Sequence, residues 1–216
     1  MQIKNIFFDF DGVLLNSINA HKSAFVKALN YFNIFDENFN YFPGQSSLFL
    51  IGEYLKSRDI YDEKLTRNIV HKKQSIVRSD IEKSLPVYEN QIEVLLKMSE
   101  DYNLSIVSSS SYYLIDKFLK KYGFKDIFMH IVSFENTKYS KPDPEPYLVA
   151  LEMNRAKIEN TIVVEDSDAG IISARQAGLT VIRFNPPLES SMTAIDSENI
   201  NCHSYNDIYD AILQMG

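Results

Sequence analysis

The sequence predicts an α/β protein: a parallel sheet flanked by helices, with a block of helices inserted after the first strand. Three observations carry this. The chain opens on the apolar run Ile3 to Phe8, of strand length and rich in Ile and Phe. From 17 to 83 one helical period follows another without a convincing strand. After Pro86 short apolar runs alternate with helical segments, the rhythm of a parallel sheet with crossover helices. The sheet core is therefore expected over 1–16 and 84–216, and the helical insert over 17–83.

Each element has its own signal. Ile18 to Tyr31 reads as an amphipathic helix with apolar residues at Phe25, Ala28 and Leu29, and with Ser17 as its cap. Residues 32–45 are aromatic and Asn-rich and end on the turn signal Pro43-Gly44. Ser46 to Lys56 and Asp62 to Ser79 read as two further helices. Beyond Pro86, Gln91 to Ser99 is a helix and Leu104 to Val107 the second strand. Ser111 to Tyr122 is a helix stopped by Gly123, and Ile131 to Phe134 the third strand. Pro144 to Met153 is a helix with proline tolerated in its first turn. Thr161 to Val164 is the fourth strand, Ser167 to Ala177 a helix ended by Gly178, and Thr180 to Phe184 the fifth strand. Residues 185–203, with Pro186-Pro187, read as a loop, and Tyr205 to Met215 as a closing helix.

Composition narrows the function classes. With 45% hydrophobic and 24% charged residues the chain is ordinary for a soluble globular protein. No stretch approaches the ~20 apolar residues of a membrane span, and the first residues lack a signal-peptide core. Cys202 is the only cysteine, so no internal disulfide can form, and a reducing cytoplasm fits. A net charge of −7 argues against a nucleic-acid partner held by phosphate contacts. It leaves small anionic substrates open, because a local cation can override the global field.

Four polar clusters fall at the ends of predicted elements. Asp9 and Asp11 stand at i and i+2 where the first strand ends, on the side where open α/β sheets keep their ligands. Two carboxylates this close need a cation or a task, unless the strand ends in a solvated Asp-Gly turn. Ser108-Ser109-Ser110 follows the second strand; alone it reads first as an N-cap, and otherwise as a phosphate cradle of hydroxyls and backbone N–H groups. Lys141 lies in Ser140-Lys141-Pro142-Asp143-Pro144, where a stiffened loop could set it against a carboxylate and a phosphoryl oxygen, or leave it solvated. Glu165-Asp166-Ser167-Asp168 follows the fourth strand. It offers oxygen ligands for a hard cation such as Mg²⁺, or an acidic first turn favoured by the helix dipole.

Strand–Asp-x-Asp, strand–Ser, loop Lys-Pro and strand–Glu-Asp, in that chain order, resemble the haloacid dehalogenase-like (HAD) superfamily. Asp-Phe-Asp-Gly-Val-Leu-Leu-Asn-Ser, Ser-Lys-Pro-Asp-Pro and Val-Glu-Asp-Ser-Asp-Ala-Gly resemble its group of phosphoglycolate phosphatases and β-phosphoglucomutases. The resemblance implies a Rossmann-like core with a helical cap, and a Mg²⁺-dependent phosphatase. Asp9 would be the nucleophile that forms an aspartyl-phosphate, and Asp11 the general acid and base. Ser108, with Ser109 and Ser110, would hold the phosphoryl group, and Lys141 would bridge it to Asp9. Asp9, the Asp11 backbone carbonyl, Glu165 and Asp166 would hold Mg²⁺, and His21 falls on the group's cap histidine. The expected partner is a small phosphorylated metabolite, without nucleic acid or membrane, for a monomer or weak dimer.

Departures from the pattern set the balance of activities. Asn16 stands where the group commonly has Asp, a mild change. Gly44-Gln45-Ser46-Ser47 lacks the cap arginine of the phosphoglucomutases, and Ser111 replaces their lysine after the serine motif. Those cations hold a second phosphate, so water becomes the favoured acceptor and a phosphatase is expected over a mutase. Lys72 or Lys73 could supply a substitute charge. Asp11 decides against a haloacid dehalogenase, which lacks that acid. A regulatory Mg²⁺-binding module would need neither Asp11 nor the insert. No P-loop, dinucleotide fingerprint or H-E-x-x-H is present.

Overall fold

The computed structural model describes residues 2–36, 39, 47–186 and 200–215. The turn at Pro43-Gly44, the Gly44-Gln45-Ser46 part of the missing-arginine stretch and most of the 185–203 loop lie outside these. Contacts divide the chain into two compact units, residues 1–16 with 87–216, and residues 17–86.

The larger unit is a six-stranded sheet, all parallel, in the order β3-β2-β1-β4-β5-β6. The strands are β1 (Asn5–Phe8), β2 (Asn103–Val107), β3 (Phe128–Val132), β4 (Thr161–Glu165), β5 (Thr180–Phe184) and β6 (Ile200–Cys202). β1 and β4 are buried along their whole length, which is why they read as continuous apolar runs. Helices α4 (Gln91–Asp101), α5 (Tyr112–Tyr122), α6 (Glu145–Asn154), α7 (Asp168–Gln176) and α8 (Tyr205–Met215) follow the strands or precede them. Phe7, Val107, Val132, Tyr147, Val163 and Ile171 belong to one core between sheet and helices. Phe8 of β1 is in register with Ile106 of β2 and with Val164 of β4, so these three strands end level with one another.

Two strand expectations are corrected. The third strand runs Phe128–Val132 rather than Ile131 to Phe134. Ser133 turns the chain instead: its amide and hydroxyl both donate to Asn136 Oδ1 at 2.8 Å, closing a short 3-10 turn over Phe134–Asn136. A sixth strand, Ile200–Cys202, pairs with β5 inside the stretch expected as loop.

The smaller unit holds α1 (Ile18–Tyr31), α2 (Ser47–Lys56) and α3 (Glu63–Ser84) around Phe25, Leu29, Ile51, Leu55, Ile69 and Val70. Ser17 occupies the N-cap position of α1, but its side chain makes no capping bond; its carbonyl accepts from His21 N at 2.9 Å. Asp62 does cap α3, accepting from Leu65 N at 2.6 Å. α3 continues past Ser79 because Val77 and Ile81 keep its buried stripe going, and Leu85 in the left-handed region ends it. No helix among the described residues is long and apolar enough to cross a membrane.

Candidate active site

The site is built from the level tips of β1, β2 and β4. Asp9 follows β1 directly and its amide donates to Val164 O at 3.0 Å, which fixes it beside β4. Glu165 is the last residue of β4, fully buried, and Asp166 comes next. One oxygen from each of Asp9, Glu165 and Asp166 lies within 4.8 Å of the others.

Lys141 stands among them. Its Nζ donates to Asp9 Oδ1 at 2.6 Å, to Glu165 Oε1 at 2.6 Å and to Val107 O at 2.9 Å. An ammonium has three N–H donors, and all three are engaged. The Lys141-Pro142 bond is cis. Glu165 is held from every side: Oε1 also accepts from Tyr147 Oη at 3.2 Å, and Oε2 accepts from Ser167 N and Oγ, both at 3.0 Å. Asp166 receives no hydrogen bond among the described residues, so its carboxylate is the one left to an outside partner.

Electrostatics follow from burial. Burial pushes the Asp9 carboxyl up to about 7; Lys141 pulls it down, but Glu165 and Asp11 add repulsion. Asp166 is raised well above the usual carboxylate range by burial and then by Glu165, Asp9 and Asp11. For Lys141 burial acts to lower the pKa, yet Asp9 and Glu165 outweigh it and leave it well above the usual lysine value. One ammonium against three converging carboxylates leaves the cluster short of positive charge. A hard divalent cation with oxygen ligands fits that deficit.

Two glycines shape the carboxylates. A Cβ on Gly170 would lie 1.6 Å from Glu165 Oε1. Gly12 has φ +83, and a Cβ there would lie 2.0 Å from Asp166 Oδ2. The loop after the Asp-x-Asp pair is tied down by three side chains. Tyr88 Oη donates to Gly12 O at 2.7 Å, Tyr205 Oη to Val13 O at 2.8 Å and Gln91 Nε2 to Leu14 O at 2.7 Å.

Of the residues singled out from sequence, Asp9, Lys141, Glu165 and Asp166 converge. Asp11 is joined to the serine motif, since Ser110 Oγ donates to Asp11 Oδ2. Ser108 is buried and its Oγ accepts from Ser110 N at 2.9 Å, while Ser109 is exposed. His21 belongs to the helical unit, where its Nδ1 meets Lys73 Nζ at 2.9 Å. Tyr147, Ser167, Gly12 and Gly170 join the site without a sequence signal of their own: each is recognised only by its contact with Glu165 or Asp166.

The sequence model of haloacid dehalogenase-like hydrolases matches residues 6–184 of this chain. The chain belongs to that family. Among its relatives is the pyrophosphatase PpaX of Bacillus mycoides (strain KBAB4), 24% identical over 184 residues, with 84% of this chain and 83% of the relative covered. The solved HAD-superfamily hydrolase of subfamily IA, variant 1, from Geobacter sulfurreducens superposes with a TM-score of 0.69 at 17% identity, covering 97% of this chain and 96% of that one. YfnB from Bacillus subtilis, solved with bound magnesium, gives a TM-score of 0.72 at 17% identity over 98% and 99% of the two chains. At these identities the structures share the fold of this HAD hydrolase, including its central parallel sheet.

Proposed function

We propose that this HAD hydrolase is a Mg²⁺-dependent phosphatase that cleaves a small phosphorylated metabolite through an aspartyl-phosphate on Asp9. The observation that carries the reading is Asp9 itself: a carboxylate pinned at 2.6 Å by Lys141 and gathered with Glu165 and Asp166 at the tips of adjacent strands. Family membership and the phosphatase names among its relatives support the same class.

Asp9 would attack phosphorus in line with the ester oxygen, and Asp11 would protonate that leaving oxygen. Asp11 would then take a proton from the water that hydrolyses the acyl-phosphate. Ser110, bonded to Asp11, orients that carboxyl. Ser108 Oγ, which accepts from Ser110 N, keeps its own proton to donate to a phosphoryl oxygen. Lys141 would meet the phosphoryl group by giving up its neutral partner, the Val107 carbonyl, while keeping Asp9 and Glu165. Mg²⁺, held by Asp9, the Asp11 carbonyl, Glu165 and Asp166, would supply the charge neutralisation that phosphoryl transfer needs. Asp166, without a protein donor, would be the readier carboxylate of the Glu165-Asp166 pair for the ion.

A mutase of the β-phosphoglucomutase type is the second reading. It must retain a second phosphate, and Ser111 offers no cation where that phosphate would need one. Pyrophosphate, suggested by the names of the PpaX relatives, raises the same demand.

The test is a phosphate-release screen with Mg²⁺ over phosphoglycolate, pyrophosphate, sugar phosphates and nucleoside monophosphates, with a hexose 1-phosphate and its bisphosphate activator included. Free phosphate is expected. Isomerised sugar without free phosphate would select the mutase. Turnover by Asp9→Asn would remove the nucleophile.

A further inference from the structure

Of three aromatic side chains exposed on the segments that carry the acid–base end of the site, Tyr113 at 59% has Lys117 Nζ 6.0 Å from its ring, which leaves Tyr112 at 51% and Phe134 at 62% exposure. Their backbones are clamped to that end. Ser110 Oγ donates to Asp11, and Phe134 N donates to the carbonyl of the same Ser110 at 3.0 Å. Tyr112 N donates to Glu135 Oε2 at 3.0 Å, which joins the start of α5 to the turn bearing Phe134. Tyr112 is two residues from Ser110, so their Cα atoms are within about 7 Å. The turn under Phe134 is closed by the Ser133–Asn136 bonds, so the ring is mounted on ordered backbone.

Position and charge together limit what such a surface can receive. A general acid must come within hydrogen-bond reach of the oxygen it protonates, so the departing alcohol lies on the Asp11–Ser110 side. Residues 109–113 are Ser-Ser-Ser-Tyr-Tyr and 133–137 are Ser-Phe-Glu-Asn-Thr. These segments contain no cation of their own, and the one acid, Glu135, is spent on the Tyr112 amide; of the neighbouring lysines, Lys117 lies over the Tyr113 ring and Lys138 over the Tyr139 ring. An alcohol carrying a second phosphate or a carboxylate finds no counter-charge on them. A neutral planar ring finds two aromatic faces, and stacking is tolerant of ring identity.

We propose that Tyr112 and Phe134 form a lip that stacks the leaving group, and that the preferred substrates are phosphomonoesters whose alcohol carries a planar heterocycle, of the nucleoside 5′-monophosphate kind. This rests on the phosphatase reading above and narrows its substrate class.

Adenosine 5′-monophosphate and ribose 5-phosphate share the same primary ribose hydroxyl as leaving group and differ in the base, so their kcat/KM ratio isolates the stacking. In the wild type the nucleotide is expected to be favoured at least about tenfold, the scale of one base–aromatic stack. Tyr112→Ala with Phe134→Ala should bring the ratio close to one, chiefly through a higher KM for the nucleotide. Tyr112→Phe with Phe134→Tyr should keep the ratio. Equal rates for the two substrates in the wild type, or an equal loss for both in the alanine variant, would overturn the lip and leave the phosphatase standing. No phosphate release from any member of the wider panel would sink the phosphatase and the lip with it. An alanine variant that turned a dimer into a monomer with the ratio unchanged would overturn the lip and give the two rings to a second copy of the chain.

Discussion

Gly170 lies against the carboxylate of Glu165, so close that a Cβ would fall 1.6 Å from Oε1 and 2.0 Å from the carboxyl carbon. Glycine inside a helix costs up to about 1 kcal/mol relative to alanine. Its presence in the first turn of α7 is therefore set by what it must clear. The group it clears is the same oxygen that Lys141 and Tyr147 bind.

Gly170→Ala follows directly. Helix propensity favours the alanine, so α7 should persist, with a far-ultraviolet circular dichroism spectrum like the wild type's. Glu165 must move, and Lys141 with it. Displacements of about 1 Å at a reacting centre cost on the order of 10²-fold in rate. A loss of that order in kcat with folding intact is expected; a fully active variant would show that the Glu165 geometry is not needed.

Burial sets how pH and metal are coupled. Asp9 is raised to about 7 and Asp166 well above its usual value, both first by desolvation. Hard cations bind the carboxylate, not the acid, so metal binding must expel protons that the folded site holds below that range. Mg²⁺ should therefore raise the melting temperature more at pH 8 than at pH 6, and its binding should acidify a weakly buffered solution. Chelation should reverse the gain. Equal stabilisation at both pH values would show that no carboxyl of the site gives up a proton when the ion binds.

Much of this arrangement is legible in the sequence because strand tips are legible. Ile3 to Phe8 and Thr161 to Val164 are apolar without interruption since β1 and β4 are central and covered on both faces, and the first polar residues after them mark the rim. The expected third strand lies too far along because β3 is an edge: His130 interrupts its run, and the apolar pair Ile131-Val132 with Phe134 carries the pattern across Ser133, where the chain turns. β6 has three residues and no run to detect. The expected end of α3 at Ser79 falls short because Arg78, Asp80, Glu82 and Lys83 mask the spacing of Val77 and Ile81. At the site, charge at strand ends points to Asp9, Glu165 and Asp166, and the proline-stiffened loop points to Lys141. Tyr147 looks like any core aromatic until its hydroxyl is seen on Glu165, and Gly170 is visible only once a side chain is placed against it.

The loop after Asp11 is held by hydrogen bonds that periodicity cannot show. Gly12, Val13 and Leu14 each give their carbonyl to one side chain, from Tyr88, Tyr205 and Gln91. Tyr205 is 1% exposed, so its removal leaves a buried carbonyl without that partner. Tyr205→Phe should lower stability by about 1–3 kcal/mol in urea unfolding. It should also slow turnover more than it weakens substrate binding, because the loop carries Asp11. Unchanged stability would mean that water replaces the hydroxyl at no cost.

The helical unit should carry its own pH dependence through His21. Burial first, and then the Lys73 ammonium, hold this imidazole at a pKa of about 4, against an ordinary value of 6.5. Nδ1 is the atom facing Lys73 Nζ at 2.9 Å, so it accepts and the ring proton sits on Nε2. The unfolded chain takes up a proton near 6.5 while the folded chain resists until about 4. Between those values the unfolded state binds more protons, so stability rises with pH. The contribution is complete above 6.5 and is lost as pH falls toward 4. Denaturant unfolding from pH 7.5 to 4.5 should show this fall. Lys73→Met should make it shallower without removing it, because burial is the larger cause. A His21 proton resonance titrating near the ordinary imidazole value in the folded protein would refute both the buried contact and the slope.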